Sequence, residues 1–385
     1  MRRRARGFSL VELMVALGLS TIVASGVLML TRSQLTAYEL NDSVVRAQQN
    51  ARAGLEFVET QLRRACGGIS QGAVTVNLPG VAPYQTSCVR YFNAATPSAG
   101  SFTSSTGTGG DAIEVLYATP NANASYANVN AIVGWATTTP SVVVSDMSGF
   151  AVGDTVVVTN FRYAEVFQIA TINGGVAPAT GVGSIVFASL TAPPLAPAGG
   201  PPTTTLYTPA AGDSMLKASS IALYYVAGTG LQTGQLVLDP DGMLGTSHTD
   251  AQPLVDGVAD FQLAFGLDWQ AAAPANGTQN NGLITENPAA GRAAGDDEWV
   301  GNASGETLPL VPVGGWNQTP ATAPMLLQIR STIVVRTMNS YSNAVPPVGP
   351  YENGAALATA TSSGRYPRYR TMRSIVAPRA WNLSE

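Results

Sequence analysis

The N-terminus constrains this chain more than any other part of it. Residues 1–7 read MRRRARG, with four arginines, and residues 8–30 form an apolar run of 23 residues in which Glu12 is the only charge. A helix of this run would be about 34 Å long at 1.5 Å per residue, which matches the hydrocarbon thickness of a bilayer. The run is therefore predicted to span a membrane, with the arginines on the cytoplasmic side and the rest of the chain outside.

Composition excludes several classes of function. The 385 residues include one histidine and two cysteines, and only 11% of them are charged. One histidine cannot build a histidine-ligated metal cluster, and two thiols cannot build a cysteine zinc site or an iron–sulfur cluster. A formal net charge of −4 also disfavours a strongly basic nucleic-acid binder. We expect a protein without a cofactor.

Glu12 lies one turn inside the apolar run. A carboxylate at such a position costs about 2.5 kcal/mol or more unless it has a partner, and ionisable groups inside membrane segments are commonly functional. An ordinary secretory signal is cleaved after its apolar region, at small residues. Here the small residue that ends the basic stretch, Gly7, comes before the apolar run.

The sequence GFSLVELMVALGLS, which starts at Gly7, resembles a type III (prepilin) leader of the type IV pilin family. The resemblance implies that prepilin peptidase cleaves between Gly7 and Phe8 and that the new Phe8 amine is methylated. It also implies that the Glu12 carboxylate pairs with the Phe8 amine of the same or an adjacent subunit and sets the register of assembly. The alternative for Glu12 is a carboxylate on a plain membrane anchor. Removal of the leader changes the formal net charge from −4 to −8, since four arginines leave with it.

Beyond the apolar run, apolar residues recur mostly at spacings of three and four, with charged residues between them. This spacing predicts that the helix continues as an amphipathic one. We expect a single helix over residues 8–64, about 85 Å long. Its apolar half would lie in the membrane or the filament core, and its amphipathic half would pack on a head domain. The apolar stripe consists of Leu35, Leu40, Val44, Ala47, Ala51, Leu55, Val58 and Leu62.

Short alternating runs replace the helical pattern after residue 64. They are bounded by glycine, proline, asparagine and threonine, which predicts strands joined by turns. We expect a large antiparallel β-rich head over residues 65–385, with residues 119–209 as a β-rich insertion. The helix would supply the second layer of a pilin-like α+β architecture. The predicted strands include residues 111–117, 141–145, 154–159, 164–172, 184–190, 220–226, 235–238, 260–267 and 325–337.

Spaced motifs in the head resemble those of long minor pilins of the PilW family. They are Cys66 at the helix end, the GDxVVV and AEVFQI segments within residues 153–169, residues 255–262, and an arginine-rich stretch at 368–378. The resemblance implies a structural, non-enzymatic subunit that primes or caps type IV pilus assembly in a minor-pilin tip complex. Implied partners are other minor pilins, the major pilin, prepilin peptidase, the inner-membrane assembly platform and a larger tip adhesin. The precursor would cross the inner membrane once with its head in the periplasm, and then move to the extracellular pilus, at the tip.

Two other functions stay open. A minor pseudopilin of type II secretion shares the leader and the helix, and a pilus-displayed adhesin or DNA-binding subunit would use assembly only for display. Five arginines lie between Arg365 and Arg379, where Tyr366 and Tyr369 could stack on bases. On an acidic chain such binding would be weak and salt-sensitive, so we favour a subunit contact or a solvated strand face. Nucleic acid is not an expected partner.

Cys66 and Cys88 lie 22 residues apart in a chain that is predicted to be exported. That context favours a disulfide that joins the helix end to the first segment of the head. The alternative is a pair of buried thiols.

Two further patterns contain some of the residues of a known catalytic or metal site, but not all of them. Ser214 and Lys217 have the spacing of the nucleophile pair of penicillin-binding enzymes, but the companion motifs are missing, so we expect a turn before a strand at Ser220. Asp239, Asp241 and residues 296–298 could donate oxygen ligands to calcium, but they lack the spacing of a full calcium loop. Solvated acidic turns are the favoured interpretation.

Overall fold

A computed structural model of the chain begins with one long helix and continues almost entirely in strands. Helix α1 spans Leu10–Arg64, 55 residues, which corresponds to about 83 Å. The helix followed by a mostly β head confirms the predicted α+β class. The structure describes residues 9–69, 74–80, 83–86, 88–98, 101–103, 110–118, 126–133, 138–161, 164–173, 183–190, 210–228, 234–245, 248–268, 298–300, 325–341 and 366–377.

Seventeen strands follow the helix in the described part of the chain. A short 3-10 helix, Gly242–Leu244, lies between the thirteenth and fourteenth of them. The strands are β1 (Val74–Asn77), β2 (Tyr84–Thr86), β3 (Val89–Phe92), β4 (Thr96–Ser98), β5 (Ser101–Thr103), β6 (Ala112–Ala118), β7 (Tyr126–Val133), β8 (Ser141–Val144), β9 (Thr155–Thr159), β10 (Ala164–Asn173), β11 (Gly183–Phe187), β12 (Ser214–Val226), β13 (Gly234–Asp239), β14 (Gln252–Asp268), β15 (Glu298–Val300), β16 (Met325–Tyr341) and β17 (Tyr366–Val376).

The main sheet is antiparallel, in the order β3–β6–β12–β13–β14–β16–β17. One face, which we call the inner face, packs against the C-terminal half of α1. The helix contributes Leu55, Val58 and Leu62 to this core, and the sheet contributes side chains such as Phe261 and Ile333. The later part of the predicted stripe, from Ala47 to Leu62, is therefore the surface that holds the helix on the head, whereas Leu35 is 57% exposed.

Strand β14 shows why the helix packs on this face. Its alternating sequence places Phe261, Leu263 and Phe265 in the core beneath α1, as the period of two requires. The opposite face of an alternating strand is commonly polar and open to solvent. Instead Asp260 and Gln262 are buried there, and the Gln262 side-chain amide donates a 3.0 Å hydrogen bond to Asp260 Oδ1. Both faces of this strand are thus covered.

The predicted insertion, residues 119–209, supplies five of the six strands of a small barrel. Strands β7, β8, β11, β10 and β9 pair in that order, and both β7 and β9 also pair with the first residues of β12. Ser214–Leu216 of β12 has one of these strands on each edge, so the six strands close into a ring. Its core is separate from the one beneath α1 and includes the stacked rings of Phe167 and Phe187, with centroids 4.4 Å apart. Strand β12 therefore belongs to the barrel and to the main sheet.

Candidate functional site

The N-terminal half of α1 has no cover from the described head. Every residue from Ser9 to Glu39 is exposed, and the exposed fraction of Leu10, Ile22 and Met29 is 76%, 68% and 75%. A continuous apolar surface of this size marks a membrane or protein contact. By length and composition α1 can cross a membrane, and it is the one such helix in the described part of the chain.

Glu12 lies at the beginning of this exposed half. The Ser9 backbone N–H donates a 3.1 Å hydrogen bond to Glu12 Oε2, so the carboxylate accepts one of the free donors at the helix start. Gly7 and Phe8, the predicted cleavage and methylation residues, lie outside the described residues. The nitrogen of Ser9 follows that of Phe8 along the backbone, so Glu12 lies at the helix end where cleavage would create the amine.

The C-terminal half of α1 is anchored to the sheet. Helix residues Ala51, Gly54 and Val58 are buried, and the helix contacts β14, β16 and β17. A Cβ atom added at Gly54 would lie 2.5 Å from Cγ2 of Val255, so glycine permits the close approach of helix and strand. The exposed half therefore projects from a well-packed base.

Cys66 and Cys88 form a disulfide in the structure, with their Cα atoms 5.3 Å apart. Both side chains are buried beneath the end of α1. Two backbone hydrogen bonds hold them beside β6: Cys66 N–H donates to the Leu116 oxygen at 3.0 Å, and Leu116 N–H donates to the Cys88 oxygen at 2.7 Å. The bond thus joins the end of α1 to the residue that directly precedes β3.

The predicted turn at Ser214–Lys217 is wrong. Both residues lie inside β12, and the turn is at residues 211–212. Pairing with β7 and β9 extends the strand, which a local sequence pattern cannot predict. Side chains three residues apart on a strand point to opposite faces, and Lys217 Nζ instead lies 2.6 Å from Asp154 Oδ2. Ser214 and Lys217 do not form a nucleophile pair.

The favoured interpretation of Asp239 as part of a solvated acidic turn is also wrong. Asp239 ends strand β13 and is fully buried. Its Oδ2 lies 2.5 Å from Nδ1 of His248, the only histidine in the chain. Carboxylate oxygens of Asp239, Asp241 and Asp250 lie within 4.8 Å of one another. The sequence pointed to Asp239 and Asp241 but gave no signal for Asp250 or His248, because these residues join the other two only when the chain after β13 folds over the sheet.

The C-terminal arginines lie on the last strand of the sheet. Arg370 and Arg373 of β17 are exposed, and because they lie three residues apart they project on opposite faces of this last strand. Tyr369 is only 9% exposed and packs on Val334, so its ring is not free to stack on a base. Arg365 and Arg379 lie outside the described residues.

Comparison with protein families matches residues 2–28 to the prokaryotic N-terminal methylation motif. No curated protein and no solved structure matches the chain. The motif is that of a prepilin-type leader, and it supports a pilin-like protein, that is, a pilin or pseudopilin subunit of a pilus or secretion system. It implies processing by prepilin peptidase and assembly with other pilins. The motif and the exposed apolar helix fit a precursor anchored in the inner membrane.

Proposed function

We propose that this chain is a minor pilin, similar to the PilW family, that primes or caps type IV pilus assembly. It would act in a minor-pilin tip complex as a structural subunit and not as an enzyme. The observation that carries the proposal is the exposed apolar half of α1, whose C-terminal half is packed on a large β head. A helix that is unburied on all sides over 30 residues needs a bilayer first and other helices afterwards.

Glu12 would link the membrane-inserted state of the helix to its assembled state among other helices. In a bilayer its carboxylate costs about 2.5 kcal/mol or more without a partner. A methylated Phe8 amine of an adjacent subunit would lower that cost by pairing with it. Because the carboxylate lies at the first turn of α1, next to Ser9, such a pair would fix the axial register of two neighbouring helices.

The inserted barrel supports a position at the end of the filament. It adds a second hydrophobic core to the core under α1, so the head is larger than the one sheet that packs against the helix. A bulky head is accommodated most easily where neighbours pack on one side only, as they do at the tip. Other minor pilins, the major pilin and a larger adhesin would contact it there.

Deletion and complementation test this function. A strain without the chain should lose surface pili, and the wild-type gene should restore them. Glu12→Ala should be cleaved and inserted in the inner membrane but should fail to restore pili, because the register pair is lost. Glu39→Ala is the matched control, since Glu39 is an exposed acid on the same helix beyond the apolar run. Full restoration of pili by Glu12→Ala would contradict the proposed role of the carboxylate.

The deletion strain also distinguishes the proposed function from the two alternative functions. Normal pili with defective secretion of exported enzymes would indicate a minor pseudopilin of type II secretion. Normal pili with defective adhesion or DNA uptake would indicate a subunit that uses the filament for display. Either result would overturn the proposed assembly function.

A further inference from the structure

Strand β17 is the last strand of the main sheet in the described part of the chain. It has 11 residues and pairs with β16, and none of the described strands lies along its other edge. The strand at the opposite end of the main sheet, β3, has four residues. An edge strand presents a row of backbone N–H and C=O groups with which another extended chain can pair. Of the two ends of the main sheet, β17 therefore offers the longer pairing edge.

The C-terminal part of β17 is open to solvent on both of its faces. Arg373 and Ile375 project on the face opposite α1, and both are exposed, Ile375 by 53%. On the face toward α1, the Ser374 hydroxyl donates a hydrogen bond to the Glu59 carboxylate. Arg370 projects on that same face and is nevertheless exposed. A strand added at this edge would therefore not have to displace any described element.

The residues of β17 restrict what can pair with it. The strand contains Pro367 and three arginines, Arg368, Arg370 and Arg373, and it contains no acidic residue, although the whole chain has a formal net charge of −4. Proline and charged side chains are the devices by which exposed edges avoid pairing with copies of themselves. A purely positive edge does not oppose a negatively charged strand in the same way.

A second copy of this chain fits the edge poorly. Two β17 strands that pair antiparallel about an axis between residues 371 and 372 place Arg370 of each copy opposite Arg373 of the other. A shift that centres the pair on either arginine places that arginine opposite itself. Like charges directly opposite one another destabilise a strand pair. The strand that pairs best with β17 therefore carries carboxylates where β17 carries arginines.

We propose that β17 binds an acidic extended segment of a neighbouring protein, which adds to the main sheet as an antiparallel strand. Backbone hydrogen bonds to the edge supply affinity, and side chains at alternate positions supply specificity. Antiparallel pairing continues the pattern of the main sheet and is slightly more stable per residue than parallel pairing. The interaction does not depend on the minor-pilin function proposed above.

The register of such a pair defines a motif in the partner. Residues that lie directly opposite one another project on the same face, where opposite charges attract. The partner therefore carries one acid opposite Arg373 and a second acid, three residues later, opposite Arg370. Two residues before the first acid it carries an apolar side chain, which packs on Ile375. The motif is apolar, any residue, acid, any two residues, acid.

Binding of synthetic peptides to the full-length chain in detergent tests the proposal. The probe is a fluorescent peptide as long as β17 that alternates threonine and valine and carries isoleucine and two glutamates in the predicted motif. Its control has glutamine in place of each glutamate. Fluorescence anisotropy should show that the acidic peptide binds about tenfold more tightly, since two cross-strand ion pairs are gained. High salt should reduce this difference, because both pairs are exposed.

Hydrogen–deuterium exchange locates the bound peptide. The acidic peptide should slow exchange in residues 370–376, where the edge gains backbone hydrogen bonds, and should leave β6 and the C-terminal half of α1 unchanged. Slower exchange elsewhere with none in residues 370–376 would overturn the proposal. So would slower exchange in residues 370–376 when the chain is concentrated without peptide, because the occupant would then be a second copy.

Variants separate direct pairing from a general effect of charge. The double variant Arg370→Gln and Arg373→Gln should bind the two peptides equally. Arg32→Gln removes an exposed arginine from the uncovered half of α1 and should behave as wild type. The double variant Arg370→Glu and Arg373→Glu should prefer a peptide with lysine in place of each glutamate, which a misfolded chain would not do.

Three binding results would overturn the proposal. They are no binding of the acidic peptide to the wild type, equal binding of the acidic and glutamine peptides, and an unchanged preference in the charge-reversed variant. Binding of an oligothymidylate that is tighter than that of the acidic peptide and depends on Arg370 and Arg373 would also overturn it, and would identify the edge as a nucleic-acid contact.

Discussion

The disulfide between Cys66 and Cys88 gives the sharpest quantitative test of how α1 is joined to the head. The two residues close a loop with a sequence separation of 22. Cross-linking a loop of this length stabilises a fold by about 3 kcal/mol in the chain-entropy account. The hydrogen bonds of Cys66 N–H and the Cys88 oxygen to Leu116 remain when the sulfur bond is removed. The native position of the chain should therefore survive, and the loss should arise mainly in the unfolded state.

We expect Cys66→Ser to lower the free energy of unfolding by about 3 kcal/mol, which is about 5 °C in the midpoint of thermal unfolding for a head of this size. The measurement is thermal unfolding of the full-length chain in detergent, followed by intrinsic fluorescence. Cys88→Ser, the double variant and the reduced wild type should show the same decrease, because each removes the same bond and the effects do not add.

The serine variants also serve as the controls for the effect of reductant. Reductant should leave the unfolding midpoint of each serine variant unchanged, since no bond remains to be broken. A wild-type midpoint that reductant does not change, or a double variant that loses twice as much stability as either single variant, would contradict a stabilising disulfide. Additive losses would indicate two separately packed thiols.

Three further predictions address the leader and two buried carboxyls. Gly7→Ala should leave the leader uncleaved, because the resemblance places cleavage after this glycine; mature-length protein on a blot would refute that site. Asp111→Ala should cost about 2 kcal/mol in chemical unfolding, since the carboxylate accepts the buried N–H groups of Ala94 and Leu263 at 3.2 and 2.8 Å; a change within error would contradict this. Burial raises the pKa of Asp260 from 3.8 to about 6, so its stabilisation is full below pH 3.8 and is lost as pH rises through about 6. Asp260→Asn should flatten the fall in unfolding temperature between pH 4 and pH 7, and an unaltered slope would argue against the shift.

The predicted helix and its exposed apolar half agree with the structure because both are local properties of the sequence. An apolar run of bilayer length and a stripe at spacings of three and four determine where α1 lies in lipid and where it packs. Glu12 stands out for the same reason, as a single charge within that run. The hydrogen bond between Ser9 and Glu12 spans only three residues. Pattern reasoning can reach such features without a tertiary structure.

The strands were predicted less completely because their lengths depend on partners elsewhere in the chain. The alternating pattern predicted a strand from Ser220, whereas β12 begins at Ser214, where β7 and β9 pair with it. The same pairing closes the barrel. The burial of Asp239 depends likewise on the path of the chain between β13 and β14, where a hydrogen bond joins Met243 to Tyr84, 159 positions away.

Sequence alone determined that this protein has a membrane-length helix with one acid, an amphipathic continuation and a β-rich head. A helix closes its backbone hydrogen bonds within one segment, so its periodicity and composition are sufficient to specify it. Only the tertiary structure decided which strands close the barrel, which face of β14 receives α1, and which carboxyls surround His248. A strand finds its hydrogen-bond partners at distant positions, and burial then decides which polar groups keep a proton.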